Sequence, residues 1–137
     1  MARRKLIHGG TLILDSEGLS KLLADDEQVV AMTAEARSRG MEAVISALTI
    51  IEAVHARTPK SRLNWVLSGV RVIPVGDEDA REASRLLMEA GLRGHKYAID
   101  AAVAEAALRQ HRPVVMLTSD IDDMAKLCGD RVRLVAV

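Results

Sequence analysis

At 137 residues the chain suits one domain, spanning 1–137, around one substantial core. Hydrophobic residues make up 49% and charged residues 28%, the balance of a soluble globular protein, and no apolar run reaches the ~20 residues that cross a bilayer. Lys plus Arg and Asp plus Glu both number 19, giving zero net charge; this argues against strong non-specific binding to nucleic acid and leaves room for a local basic rim.

The N-terminal stretch through His8 is basic, with Arg3, Arg4 and Lys5, but lacks the apolar segment of a signal peptide. A cytoplasmic location is expected. Gly9-Gly10 mark a turn, and Leu12-Ile13-Leu14 read as a buried strand ending at Asp15. Ser16 to Ala24 carries Leu19, Leu22 and Leu23 at helical spacing. Asp25 to Arg39 reads as a second helix, acidic early and basic late as the helix dipole favours, with Gly40 as its stop. Ala43-Val44-Ile45 is the next strand, and Ser46 can cap the helix that follows through Leu48, Ile51 and His55. Pro59 interrupts, and Lys60 to Leu67 resumes as helix. The alternation of Val70 to Val75, with Pro74 inside it, suits a strand at a sheet edge. Asp77 to Ala90 is an amphipathic helix ended by Gly91. Leu92 to Lys96 reads as a loop, and Tyr97 to Gln110 as an alanine-rich helix suited to close packing. The uninterrupted Val114-Val115-Met116-Leu117 predicts a strand near the sheet centre. A short helix from Ser119 to Cys128 and a strand from Val132 to Val137 complete the chain. Cys128, the single cysteine, excludes an intrachain disulfide and reads as a core thiol.

Strands alternating with helices imply a mainly parallel sheet covered on both faces. Ligands in such folds bind beyond the carboxyl ends of the strands. Asp15 and Asp120 fall at or just past two such ends, and Glu52 and Asp100 sit on two of the helices. Three of the four acids have an ordinary structural explanation. Asp15 suits a turn, Asp100 a helix N-terminus, and Asp120 or Asp122 a helix cap. Glu52 is harder to explain so, because Ile50, Ile51, Ala53 and Val54 surround it and a lone buried carboxylate is costly. Four carboxylates gathered in one pocket would repel one another unless a cation neutralised them. Carboxylate oxygens suit Mg²⁺ or Mn²⁺, which makes a metal-dependent enzyme acting on phosphate the natural expectation.

Other phosphate-handling signatures are missing. The sequence has no G-x-x-x-x-G-K-[ST] and no G-x-G-x-x-G. Asp15-Ser16-Glu17 lacks the second Asp of a phosphoaspartyl hydrolase, and no Gly-x-Ser-x-Gly elbow is present. His8, His55, His95 and His111 are scattered singly, with no zinc-ligand spacing. Aromatic residues are 1% of the chain, with no Phe, so a base-stacking platform on a sheet is not expected.

Four segments together resemble the PIN-domain ribonuclease family over nearly the whole chain. They are Leu12-Ile13-Leu14-Asp15-Ser16, Ile45 to Glu52, Ala98 to Ala104 around Asp100, and Leu117 to Met124 around Asp120. Met124 stands where the family often has an aromatic residue. The resemblance implies a PIN-like three-layer α/β/α sandwich with a mainly parallel five-stranded sheet. It implies a Mg²⁺- or Mn²⁺-dependent endoribonuclease, with Asp15, Glu52, Asp100 and Asp120 as the catalytic, metal-binding acids and Asp122 or Asp123 sharing the fourth role. It further implies a VapC-type toxin of a type II toxin–antitoxin pair, with an RNA substrate, a small cognate antitoxin and a homodimeric assembly. Thr118 is expected to support the pocket by hydrogen bonding, and with Arg93, His95 and Lys96 to serve substrate binding; Arg3, Arg4 and Lys5 are a second candidate RNA contact. The alternatives are a non-catalytic module that binds RNA or protein, and a housekeeping RNA-processing nuclease.

Overall fold

The structure, a computed structural model, describes residues 9–137; Arg3, Arg4 and Lys5 lie outside the described residues. The elements run β1 (Thr11–Leu14), α1 (Ser16–Leu23), α2 (Glu27–Ser38), β2 (Glu42–Ser46), α3 (Ala47–Ala53), α4 (Lys60–Ser68), β3 (Arg71–Ile73), α5 (Asp77–Ala90), α6 (Gly94–Leu108), β4 (Val114–Thr118), α7 (Ile121–Cys128) and β5 (Arg133–Ala136). This is the order that the apolar patterning predicts. The strands form one sheet in the order β3-β2-β1-β4-β5, and every pairing is parallel.

Parallel strands need helical crossovers, and these cover both faces. On one face Ile13, Val44 and Met116 pack with side chains of α5, α6 and α7. On the other, Leu12, Leu14, Ile45 and Leu117 pack with α1, α2 and α4. Successive residues of β1 therefore feed opposite cores, which is why all four are buried. β3 lies at the sheet edge, as Pro74 requires, and is shorter than the apolar run because proline cannot donate to a ladder.

Two local departures from the sequence reading have simple causes. The predicted loop Leu92–Lys96 is partly helical. The N–H groups of Lys96 and Tyr97 donate to the Arg93 carbonyl at 3.2 and 3.0 Å, and the helical path breaks at Tyr97 (φ −114°, ψ 18°) before α6 continues. Gly9-Gly10 serve a close approach of backbones as well as a turn. Gly9 N–H donates to Gly40 O and Thr11 N–H to Pro113 O. Gly10 has φ +112°, and a Cβ there would lie 2.3 Å from the Pro113 carbonyl oxygen.

α6 is unusual in being buried around its circumference, with every residue from Ala101 to Ala107 inaccessible. Its small side chains let it pass between the sheet and α5. Cys128 is buried, as its apolar neighbours predict, and burial pushes its thiol up to about 11. Among the described residues no helix is long and apolar enough to cross a membrane.

Candidate active site

The register of β1 on β4 pairs Leu14 with Leu117, so Asp15 and Thr118 emerge together at the carboxyl rim of the sheet. Asp120 follows two residues later. α3 carries Glu52 and α6 carries Asp100 to the same rim. A cavity of about 230 Å³ is lined there by Asp15, Glu52, Asp100 and Asp120, together with Ser16, Glu17, Ser20, Ala53 and Ser119. The four acids expected from the sequence thus share one cavity.

Asp15 is 3% exposed and is held by its surroundings. One carboxylate oxygen accepts from Gly18 N–H at 2.9 Å, which caps α1. Burial raises its pKa, while the Thr118 hydroxyl and the Gly18 N–H oppose the rise. Thr118 is fully buried, and its oxygen accepts from Asp120 N–H at 2.9 Å. One hydroxyl thus stabilises Asp15 and fixes the backbone of Asp120. Thr118 is buried, and these hydrogen bonds give it the supporting geometry that was one of its two expected roles.

Asp100 is half-buried, and its carboxyl is pushed up to about 6. Burial is the largest cause, followed by repulsion from Asp120, Glu52, Asp15 and Asp123. Glu52 is exposed, as is its neighbour Ile51 at 71%. The apolar segment around Glu52 does not bury it; its place in the site comes from the orientation of α3. Asp120 begins α7 without making a side-chain cap, and Asp122 and Asp123 occupy the first turn of that helix. Neither lines the cavity, although the charge of Asp123 reaches Asp100. Arg93, His95 and Lys96 lie exposed at the start of α6, outside the lining. The Lys96 ammonium sits 5.2 Å from the centre of the Tyr97 ring.

The donor set is one of hard carboxylate and hydroxyl oxygens, which suits Mg²⁺ or Mn²⁺. The Ser16 hydroxyl is buried at this cavity without a hydrogen-bond partner, an orphan that a bound, hydrated cation would satisfy. Among the described residues no three acid, His or Cys side chains converge closely enough to form a ready-made metal cage. The carboxylates ring the cavity instead, an arrangement that fits an ion retaining several of its waters. Ser16 belongs to the first of the four family-like segments, whereas Glu17, Ser20 and Ser119 line the cavity without being expected from the sequence. The available signal was positional: Ser16 and Ser20 share a helix face one turn apart, directly after Asp15.

No family model matches the sequence, and no curated protein matches it. Solved structures do resemble it. A chain from the VapBC2 complex of Rickettsia felis bound to a DNA fragment from its promoter is similar with a TM-score of 0.68 and 15% identity, over 93% of this chain and 98% of that one. A chain from a toxin–antitoxin complex of Klebsiella pneumoniae gives 0.66 and 18%, over 88% and 94%. The fold is PIN-like. At these identities the likeness is one of fold, and it agrees with the parallel five-stranded sandwich expected from the sequence. In this chain the PIN-like sheet carries its acids at the carboxyl rim, with α3 and α6 completing the cavity.

Proposed function

We propose that the protein is a Mg²⁺- or Mn²⁺-dependent endoribonuclease that acts as the toxin of a toxin–antitoxin pair, restrained by a small cognate antitoxin. The observation that carries this reading is the gathering of Asp15, Glu52, Asp100 and Asp120 around one cavity, where burial first, and then repulsion from the neighbouring acids, raises the carboxyl of Asp100. A site that stores such repulsion is suited to a cation and a phosphate. Similarity in fold to chains from two toxin–antitoxin complexes supports the biological role.

Asp15, Glu52, Asp100 and Asp120 would hold the cation. When bound, it would neutralise the carboxylates, lower the pKa of a water and offset charge developing on the phosphate. Asp15 is the fixed point of the site, oriented by Gly18 N–H and the Thr118 hydroxyl. Glu52, exposed at the cavity, would complete the site and orient the attacking water. Asp120 is set by its N–H bond to Thr118.

Two measurements test this. Mg²⁺ or Mn²⁺ should raise the melting temperature of the folded protein, because a ligand specific to the native state stabilises it by mass action. Purified protein should cleave single-stranded RNA with Mg²⁺, and Asp15→Asn should abolish cleavage while folding normally. Full activity of that variant would sink the assignment. Tight RNA binding in EDTA, without a metal-induced thermal shift and without turnover, would instead identify a binding module.

A further inference from the structure

A second cavity, of about 220 Å³, adjoins the acidic one; Ser20 and Ala53 line both. It lies over the connection from α3 to α4 and differs in character. Its walls include Leu23, Ala24, Ala53 and Pro59, with His55 and Arg57 contributing polar groups. We propose that this cavity is a nucleotide subsite, which takes the base next to the scissile phosphodiester of a single-stranded RNA while Arg57 holds a neighbouring phosphate. The proposal rests on the nuclease reading and adds to it where the strand runs.

The loop carrying these residues is folded on itself. Thr58 N–H donates to His55 O at 3.0 Å, His55 N–H to the Thr58 hydroxyl oxygen at 3.1 Å, and Arg57 N–H to His55 Nδ1 at 3.1 Å. Because Nδ1 accepts, the ring proton sits on Nε2, which is left as a donor. The imidazole is thus fixed in orientation with an aromatic face and one free N–H. Unpaired bases are recognised by stacking on such faces and by hydrogen bonds to their edges. With aromatic residues so rare in the chain, an oriented histidine beside apolar walls is the stacking surface that this rim offers.

Charge points the same way. The acidic cavity repels a polyanion, so cations must hold the strand nearby. Arg39, Arg62, Arg71, Arg81, Arg85 and Arg109 are tied to carboxylates of the protein itself. Arg57 is exposed and, like Arg93 and Arg133, makes no ion pair among the described residues; of these three it is Arg57 that lines the second cavity. It is a free cation lining a cavity that abuts the acids.

The test uses the full chain carrying Asp15→Asn, so that RNA is bound and not consumed. Fluorescence anisotropy with Mg²⁺ would measure binding to four single-stranded oligoribonucleotides, one for each base. Adding Arg57→Ala should weaken binding about ten-fold and lower the salt slope by about 0.7, the value for one phosphate contact on a single strand. Arg57→Lys should restore most of that slope. Adding His55→Ala should weaken binding about five-fold or more and reduce the difference between bases. Arg133→Ala, on the distant edge strand β5, gives the effect of losing one remote charge. If Arg57→Ala and His55→Ala do no more than this control, the subsite is overturned, which is also the outcome if the cavity serves a peptide. Cleavage by the parent protein is measured separately. A parent that cleaves no RNA, with both variants still weakened in binding, would refute the nuclease reading and leave the subsite standing.

Discussion

Replacing Asp100 with Asn probes the burial and crowding of this carboxyl without changing the shape of the side chain. An aspartate of ordinary pKa 3.8 is raised here to about 6, so the folded protein holds this proton more tightly than the unfolded chain. Below pH 3.8 the carboxyl is protonated in both states and costs nothing. Between 3.8 and 6 the unfolded chain releases its proton first and the native state loses ground; above 6 the penalty is constant. That interval corresponds to about 3 kcal/mol. Asp100 is half-buried, and solvent screening reduces the figure to about 1–2 kcal/mol. Asp100→Asn should therefore match the parent near pH 3.5 and exceed it by that amount at pH 7.5, a gain of about 3–6 °C in melting temperature for a domain of this size. Thermal melts followed by circular dichroism in EDTA, from pH 3.5 to 8, measure this directly. Saturating Mg²⁺ should then narrow or reverse the gap, because the cation rewards the intact acid. A gap that is absent, or constant across the pH range, would refute the raised carboxyl that burial and its acidic neighbours give Asp100.

Asp15→Asn keeps an acceptor for Gly18 N–H, so its melting temperature should be at or above that of the parent; Asp15→Ala loses the cap and should fall about 1 kcal/mol below the Asn variant in urea denaturation. Thr118→Val removes the hydroxyl shared by Asp15 and Asp120 N–H. It should cost about 1–3 kcal/mol and slow cleavage, and a change below about 0.5 kcal/mol would show that the hydroxyl is not supporting the site. Gly10→Ala forces a Cβ to 2.3 Å from Pro113 O at a positive φ. It should destabilise the fold by more than about 2 kcal/mol, and equal stability by urea denaturation would show that the backbone there can shift.

The architecture was largely legible because burial imposes patterns. Val114 to Leu117 is unbroken because an interior parallel strand is covered on both faces, and Asp77 to Ala90 is striped because one side meets solvent. The turn at Gly94–Lys96 was hidden: a single helical turn of Gly, His and Lys has no apolar stripe to reveal it. Asp15 and Asp120 were legible from strand ends. Glu52 was singled out because its neighbours are apolar, yet Ile51 is 71% exposed and Glu52 itself is exposed. Flanking hydrophobicity therefore gave no measure of its burial. Glu17 was not legible, since a polar residue in an opening helical turn looks the same whether it meets bulk water or a cavity. Thr118 shows a related limit, because a strand-end threonine reads the same whether it faces a substrate or props its neighbours.

The closely packed α6 has a consequence for how far the site can drift. Seven consecutive buried residues follow Asp100 directly, so the helix behaves as a slender rod wedged between two walls. Any added methyl group along its length must displace a wall or the rod, and the acid at the end of the rod would move with it. The alignment of Asp100 is therefore guarded from behind, and an enlargement at Ala104 or Ala107 should disturb the rim without touching it.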